Sequence, residues 1–524
     1  MGIPNYFSYI IKNHKQIIKP FDTKGVDVFF LDSNSIIYDQ LRELMLTDIE
    51  CIDRKSIDIF EKTLINMVYI KIKEYIKIVS AKDSVFIAFD GVAPVAKMEQ
   101  QRNRRYKSYL LTHIKEKTTG VVVNGWDKCA ITPGTNFMEK LGNTLVKRFK
   151  RSTKVCVSTS NEPGEGEHKM FNYLRNSNMN DKRVVVYGLD ADLIMLCLNH
   201  TPYCKDIYLY RETPEFIKSI DADLEPNTAY VLDILELGNH IADEMTGNST
   251  EINKSDLMRE YIFLCFFLGN DFLPHFPAIN IRTDGIHLLM SAYSNVIAPK
   301  RRLTDGNKIK WSNVFILLDW LAKMELNLLK NEYKVKDKLE RRRHRVQDED
   351  AMRKLDNIPT KMREDEEYIN PFNPGWEERY YKVLFNVDMS PHFIRSICIN
   401  YMEGLEWVMK YYTTGCCDWS WKYKYNYPPL LKDLIKYIPS WDTIMIKKND
   451  NLPVPPVVQL AYVLPRTSLK LLPNEYRKKL ECDFLDMYPL DERIVWAFCR
   501  YFWEAHVDLP EIDIEELKAL NYYY

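Results

Sequence analysis

The chain has 524 residues, 46% hydrophobic and 28% charged, with 72 Lys and Arg against 73 Asp and Glu for a net charge of −1. Roughly two to four domains fit that length, and the composition excludes a disordered, collagen-like or disulfide-scaffold chain. With no bulk positive charge, any nucleic-acid contact has to come from a local basic patch.

The opening Met1–Tyr6 shows no signal-peptide pattern and lacks the Ser or Thr at position 6 that myristoylation needs. The first 240 residues alternate strand-like and helix-like stretches. Apolar runs at Val26–Leu31, Val85–Phe89, Val155–Val157 and Val184–Tyr187 are each followed by a turn and a helical pattern. Such alternation predicts a mostly parallel, doubly wound α/β sheet over 1–240. From about residue 250 helical periodicity dominates, as in Leu257–Leu268, Trp311–Leu329 and His392–Tyr412, which predicts a large helical region over 241–524. Within it, 331–370 carries eleven basic and eleven acidic residues and reads as an exposed charged helix or mobile insertion. The longest apolar run, Tyr261–Leu268, is far short of the roughly 20 residues of a membrane span. Eleven cysteines without a C-x-x-C read as reduced thiols. Together these features point away from membranes, to the cytoplasm first and the nucleus second.

Acids stand where the strands end. Phe29-Phe30-Leu31 runs into Asp32, and Phe86-Ile87-Ala88-Phe89 into Asp90. The strand through Val157 leads to Glu165 and Glu167, and the strand through Val186 to Asp190 and Asp192. In open α/β sheets this C-terminal edge is the ligand edge. The two i, i+2 pairs, taken as extended segments, would project to one side. Six acids in one cleft require cations, and hard oxygen ligands select Mg²⁺, with Mn²⁺ as the alternative. Two such ions about 4 Å apart are an arrangement for phosphodiester hydrolysis. Asp271, after an apolar helix and before Pro274, reads on spacing alone as either a cap or a further ligand.

A basic stretch follows Asp90. Lys97, Gln101, Arg104 and Arg105 fall at i, i+4, i+7 and i+8, one face of a helix. Residues 97–118 hold seven basic and two acidic residues, a local charge of +5. Arg and Lys so placed suit phosphate oxygens.

These blocks resemble the Xrn-type 5′→3′ exoribonucleases along essentially the whole chain. The resemblance rests on Met1–Phe7, Leu31–Ile37, Phe86–Arg105, Ile131–Thr135, Pro163–Lys169, Gly188–Met195 and Gly269–His275. Tyr401–Trp407, Trp419–Trp421 and Trp503–Pro510 continue it. It implies a PIN or flap-nuclease-like sheet in a catalytic-core-only member. Two Mg²⁺ ions would be held by Asp32, Asp90, Glu165, Glu167, Asp190, Asp192 and Asp271. Lys97, Gln101, Arg104 and Arg105 would hold the 5′-monophosphate of single-stranded RNA. The family's stacking histidine and tryptophan correspond to Tyr38 and Trp503; tyrosine keeps a ring for stacking but not the imidazole's titration. The implied activity is processive degradation to nucleoside 5′-monophosphates, with decapping or RNA-decay factors as partners. A flap-type 5′ DNA nuclease shares the acid-rich sheet, and a non-catalytic RNA-binding scaffold could share the fold. The second set of blocks and the retention of all seven acids argue against them.

Overall fold

A computed structural model describes residues 2–22, 25–46, 54–119, 125–212, 222–225, 229–246, 253–298, 300–343 and 351–521. The chain forms two compact units. One comprises Phe7–His240, Asp450–Asp491 and Leu509–Tyr524; the other comprises Met1–Tyr6, Ile241–Asn449 and Glu492–Asp508.

The α/β unit is built on seven strands: β1 (Ile18–Pro20), β2 (Val28–Asp32), β3 (Ser84–Ala88), β4 (Val155–Ser158), β5 (Met179–Tyr187), β6 (Cys204–Glu212) and β7 (Ala229–Asp233). Their order is β1-β7-β6-β5-β2-β3-β4. The neighbours from β6 to β4 are parallel, whereas β7 runs antiparallel to β6 and β1. The helices α1 (Tyr6–Asn13), α2 (Asn34–Leu46), α3 (Arg54–Val79), α4 (Val95–Thr119), α5 (Asn136–Phe149), α6 (Gly166–Asn176), α7 (Asp192–His200) and α8 (Ile234–Thr246) precede, connect or follow the strands. β2 is buried at all five positions, as a parallel strand covered on both faces must be. Alternate residues serve opposite faces. Phe29 and Leu31 join Ile37 and Leu41 of α2, Leu64 and Val68 of α3 and Leu141 of α5 in one core. Phe30 and Phe86 instead pack edge-on and stacked against Tyr173 of α6.

The helical unit contains α9 (Lys254–Cys265), α10 (Gly285–Val296), α11 (Trp311–Ala322), α12 (Glu325–Arg343), α13 (Ala351–Asp356), α14 (Ile358–Lys361), α15 (Glu364–Ile369), α16 (Trp376–Phe385), α17 (Pro391–Thr413) and α18 (Leu431–Leu434). Ser390 caps α17 by accepting from Phe393 N at 3.2 Å, with Pro391 at the first helical position.

The region 241–524 divides between the two units. Its segments carrying α19 (Pro456–Val463), α20 (Asn474–Asp483) and α21 (Ile514–Asn521) belong to the α/β unit. There Val458, Leu460, Leu464 and Leu480 share a core with Val92, Val95 and Met98 at the start of α4. The charged stretch 331–370 is not simply a solvated face, although 344–350 lies outside the described residues. Lys336 and Glu366 form a buried ion pair, and Lys336 also donates to Cys499 O at 3.0 Å. Arg363 bridges Glu366 at 3.0 Å and Asp337 at 2.7 Å. Opposite charges three or more residues apart are buried here as mutually satisfied pairs, which charge counting does not reveal.

Candidate active site

The strand register brings the acids level. Leu31 pairs with Tyr187 of β5, and Asp32 pairs with Ala88 of β3, so the chain segments leaving β2, β3 and β5 emerge at one edge. Asp32 ends β2 and is buried, Asp90 lies two residues beyond β3, and Asp190 three residues beyond β5.

The paired acids converge by a different route from the extended one expected. Glu165 is the N-cap of α6, with φ −66° and ψ 149°, while Glu167 already lies in the first turn. Asp192 likewise opens α7 after Ala191 in helical conformation. A helix start turns the chain where a strand would have continued. It also places carboxylates at the positive end of a helix dipole. One carboxylate oxygen each from Glu165 and Glu167 and one ring nitrogen of His168 lie within 4.8 Å of one another.

Asp90 is the most firmly oriented acid. Gly166 N donates to its Oδ1 at 2.7 Å. Asn34 Nδ2 donates to its Oδ2, and Asn34 Oδ1 accepts from Asp90 N at 3.2 Å. Gly166 is required by close approach: a Cβ there would come 3.0 Å from Asp32 Oδ1 and 3.4 Å from Asp90 Oδ1. Lys169 Nζ donates to Phe89 O and Thr159 O, both at 2.8 Å, tying together the segments that follow β3 and β4. Burial pushes its ammonium down to about 8.

Charge crowding marks the site. Burial, then Asp90, Asp190 and Glu165, push Asp32 well above the usual carboxylate range. Burial and Glu165 do the same to Glu167, with Lys97 opposing. Burial keeps His168 neutral by pushing its imidazole well below its ordinary value. Lys97 Nζ lies 2.6 Å from Glu165 Oε2, both side chains largely buried. A protein ammonium therefore already partners this acid cluster. The oxygen-rich donor set and its stand-in cation fit a hard divalent ion.

The remaining expected residues fall as follows. Gln101 is buried with Oε1 out of contact with solvent or a protein partner, Arg105 is half-buried and Arg104 is exposed. All lie on α4 with Lys97, on one face by helical geometry. Tyr38, on α2, is half-buried and packs against the core. In the helical unit, Asp271 accepts from Gly2 N at 3.1 Å in the turn that follows α9. Trp503 is 40% exposed, too open for an ordinary core tryptophan. Its ring lies nearly parallel to Tyr501, and the Arg282 guanidinium is 5.9 Å from its centroid. Arg282 is fixed by a part-buried ion pair with Glu504, which also accepts from Arg500 N at 2.8 Å.

Sequence reasoning missed Asn34, Lys169 and Arg211. Asn34 had a visible signal, an amide two residues after the strand-end Asp32. Arg211, next to the last residue of β6, stacks 3.7 Å over Phe7 and acts electrostatically on Asp190; burial pushes it down to about 10. Asn34→Ala should weaken Mn²⁺ binding about 10–100-fold, the usual cost of losing a group that orients a metal ligand. Isothermal titration calorimetry checks this, and unchanged Mn²⁺ affinity would show that Asp90 needs no such support.

The family model described as XRN 5'-3' exonuclease N-terminus matches residues 1–213, and the one described as Xrn1 helical domain matches 251–368 and 348–521. The chain belongs to the Xrn family. Similar Xrn proteins include 5'-3' exoribonuclease 2 of Arabidopsis thaliana, 26% identical over 99% of this chain and 66% of that protein. Homo sapiens 5'-3' exoribonuclease 1 is 27% identical over 100% of this chain and 34% of its own length. The Drosophila melanogaster 5'-3' exoribonuclease 2 homolog is 26% identical over 100% of this chain and 71% of its own. The chain thus spans about two thirds of the first of these Xrn relatives and one third of the second. Among the described residues, no helix is long and apolar enough to cross a membrane.

Proposed function

We propose that this chain is a processive 5′→3′ exoribonuclease acting on single-stranded RNA with a 5′-monophosphate. The observation that carries the reading is the crowded acid edge in direct contact, through Lys97 and Glu165, with the first turn of a basic helix. Asp32, Asp90, Glu165, Glu167, Asp190 and Asp192 would hold two Mg²⁺ ions, or Mn²⁺, and family resemblance assigns Asp271 to the same set. When bound, the ions supply an activated water and neutralise charge on the leaving oxygen.

The chain's own residues do the rest. Asn34 and the Gly166 amide hold the Asp90 carboxylate in one orientation. The Lys97, Gln101, Arg104 and Arg105 face of α4 binds the terminal phosphate. A triphosphate or cap adds bulk and charge that this face does not match. Trp503 gives a base a ring to stack on, worth about 1–3 kcal/mol. After each cleavage the new 5′-phosphate enters the same basic face, which keeps the enzyme on its strand. Decapping and endonucleolytic cleavage yield ends of this kind, so RNA-decay factors of the cytoplasm, or of the nucleus, are the fitting partners.

The test uses one RNA bearing a 5′-monophosphate, a 5′-triphosphate or a 5′-hydroxyl, incubated with the protein and Mg²⁺, with Asp190→Asn as control. The monophosphorylated RNA should vanish into mononucleotides, and the control should leave it intact. Equal loss of all three RNAs would remove the phosphate pocket. Cleavage of a DNA flap with no loss of RNA would replace the reading with a flap-type nuclease.

A further inference from the structure

The Lys97–Glu165 contact gives one residue two duties that exclude each other. Lys97 stands on the α4 face that would hold the phosphate, yet its ammonium is 2.6 Å from Glu165 Oε2, and the two side chains are only 13% and 6% exposed. It also acts electrostatically on Glu167 and His168. The ammonium therefore contacts one of the three residues whose ligand atoms converge within 4.8 Å. A divalent ion at those atoms and the Lys97 ammonium would compete for the Glu165 carboxylate.

The geometry points to Lys97 as a cation shared between two sites: it neutralises Glu165 while no divalent ion is bound, and passes to the 5′-phosphate when an ion takes Glu165. The consequence is cooperative binding of ion and phosphate. This inference rests on the phosphate reading above.

The energetics favour such an exchange. Without an ion, pulling Lys97 from Glu165 would leave a buried carboxylate uncompensated beside Glu167 and Asp32, which strongly disfavours the move. With an ion on Glu165, an ammonium on the same carboxylate is repelled, and a nearby phosphate dianion becomes its best partner. The flexible four-carbon stem lets the ammonium change partners while α4 stays in place. By linkage, phosphate must tighten ion binding by the same factor by which the ion tightens phosphate binding. Ions would then be held most firmly when a substrate end is present.

The test is calorimetric and needs no turnover. A nucleoside 5′-monophosphate and the corresponding nucleoside are titrated into the full chain, in Mg²⁺ and in EDTA; neither ligand contains a phosphodiester bond. Preference for the monophosphate should rise about tenfold on adding Mg²⁺, within the range of ordinary allosteric couplings. Glu165→Gln, which frees Lys97, should raise that preference in EDTA. Lys97→Met should show a low preference that Mg²⁺ does not move, and should bind Mn²⁺ more tightly than the parent. A preference in the parent that is equal in Mg²⁺ and EDTA overturns the exchange while leaving the phosphate pocket standing. Weaker Mn²⁺ binding by Lys97→Met overturns it as well. No preference under any condition removes the pocket itself.

Discussion

Asp32→Asn is expected to yield a protein that melts at a higher temperature than its parent in EDTA, yet degrades RNA about 10³-fold more slowly, a loss of several kcal/mol of metal-assisted catalysis. Both effects come from one carboxylate. Asp32 is buried at the end of β2, and burial together with Asp90, Asp190 and Glu165 pushes its titration well above the usual range. The folded protein therefore binds this proton more tightly than the unfolded chain does. Between the two titrations the native state carries more protons, so stability falls as pH rises through that window. Asp32 should cost the metal-free fold least at acid pH and most above its folded titration. Asparagine keeps the shape and an acceptor for the Asn34 amide and removes the charge. Melting curves at pH 5 and pH 8 check the sign: the gain of the variant over the parent should be larger at pH 8. Adding Mg²⁺ should raise the parent's midpoint more than the variant's. A variant that melts below its parent at pH 8 in EDTA would show that repulsion at this edge is not destabilising.

Strand ends were readable in the sequence because the run Val26–Leu31 is short and rich in β-branched and aromatic residues and is followed by a turn and a helical pattern, which places the first acid after it at the sheet edge. The approach of Glu165 to Glu167 was readable as proximity but not as geometry. Spacing i, i+2 fits an extended segment, whereas Glu165 caps α6 and Asp192 opens α7. Asn34 was signalled by its place two residues after Asp32, but its partner, the Asp90 carboxylate, was not. The C-terminal segments could not be placed by periodicity. The apolar residues of α19 look like those of any amphipathic helix, and only tertiary packing reveals that they share a core with Val92 and Met98. The charged stretch misled for a related reason. Lys336, Arg363 and Glu366 are strongly polar one by one, and their burial depends on pairing between α12 and α15 and the segment between them.

Helix α4 offers the sharpest contrast, because two of its arginines, two residues apart, should fail in opposite ways. The stripe of Lys97, Gln101, Arg104 and Arg105 covers one side of the helix, and Arg102 lies about 100° away from its centre at 3.6 residues per turn. There it shares a buried face with Val95, Met98 and Tyr106 and is 1% exposed. Its Nη1 donates to Pro510 O at 2.7 Å and its Nη2 to Met487 O at 3.1 Å, with the rings of Tyr106 and Tyr462 close by. Arg102→Ala removes the donors to two carbonyls and leaves a cavity where the C-terminal segments pack, so it should cost about 3–5 kcal/mol of stability. Arg104 is exposed, and Arg104→Ala should change stability by no more than about 0.5 kcal/mol. Its loss should instead fall on substrate choice. One charge-assisted contact to phosphate is worth about 1.5–3 kcal/mol, so preference for a 5′-monophosphate over a 5′-hydroxyl should drop about 10- to 100-fold. Thermal denaturation and competition between the two RNAs separate the outcomes. If Arg104→Ala keeps its preference, the phosphate lies elsewhere on the helix. If Arg102→Ala melts like the parent, the packing of the C-terminal segments on α4 does not hold the α/β unit together.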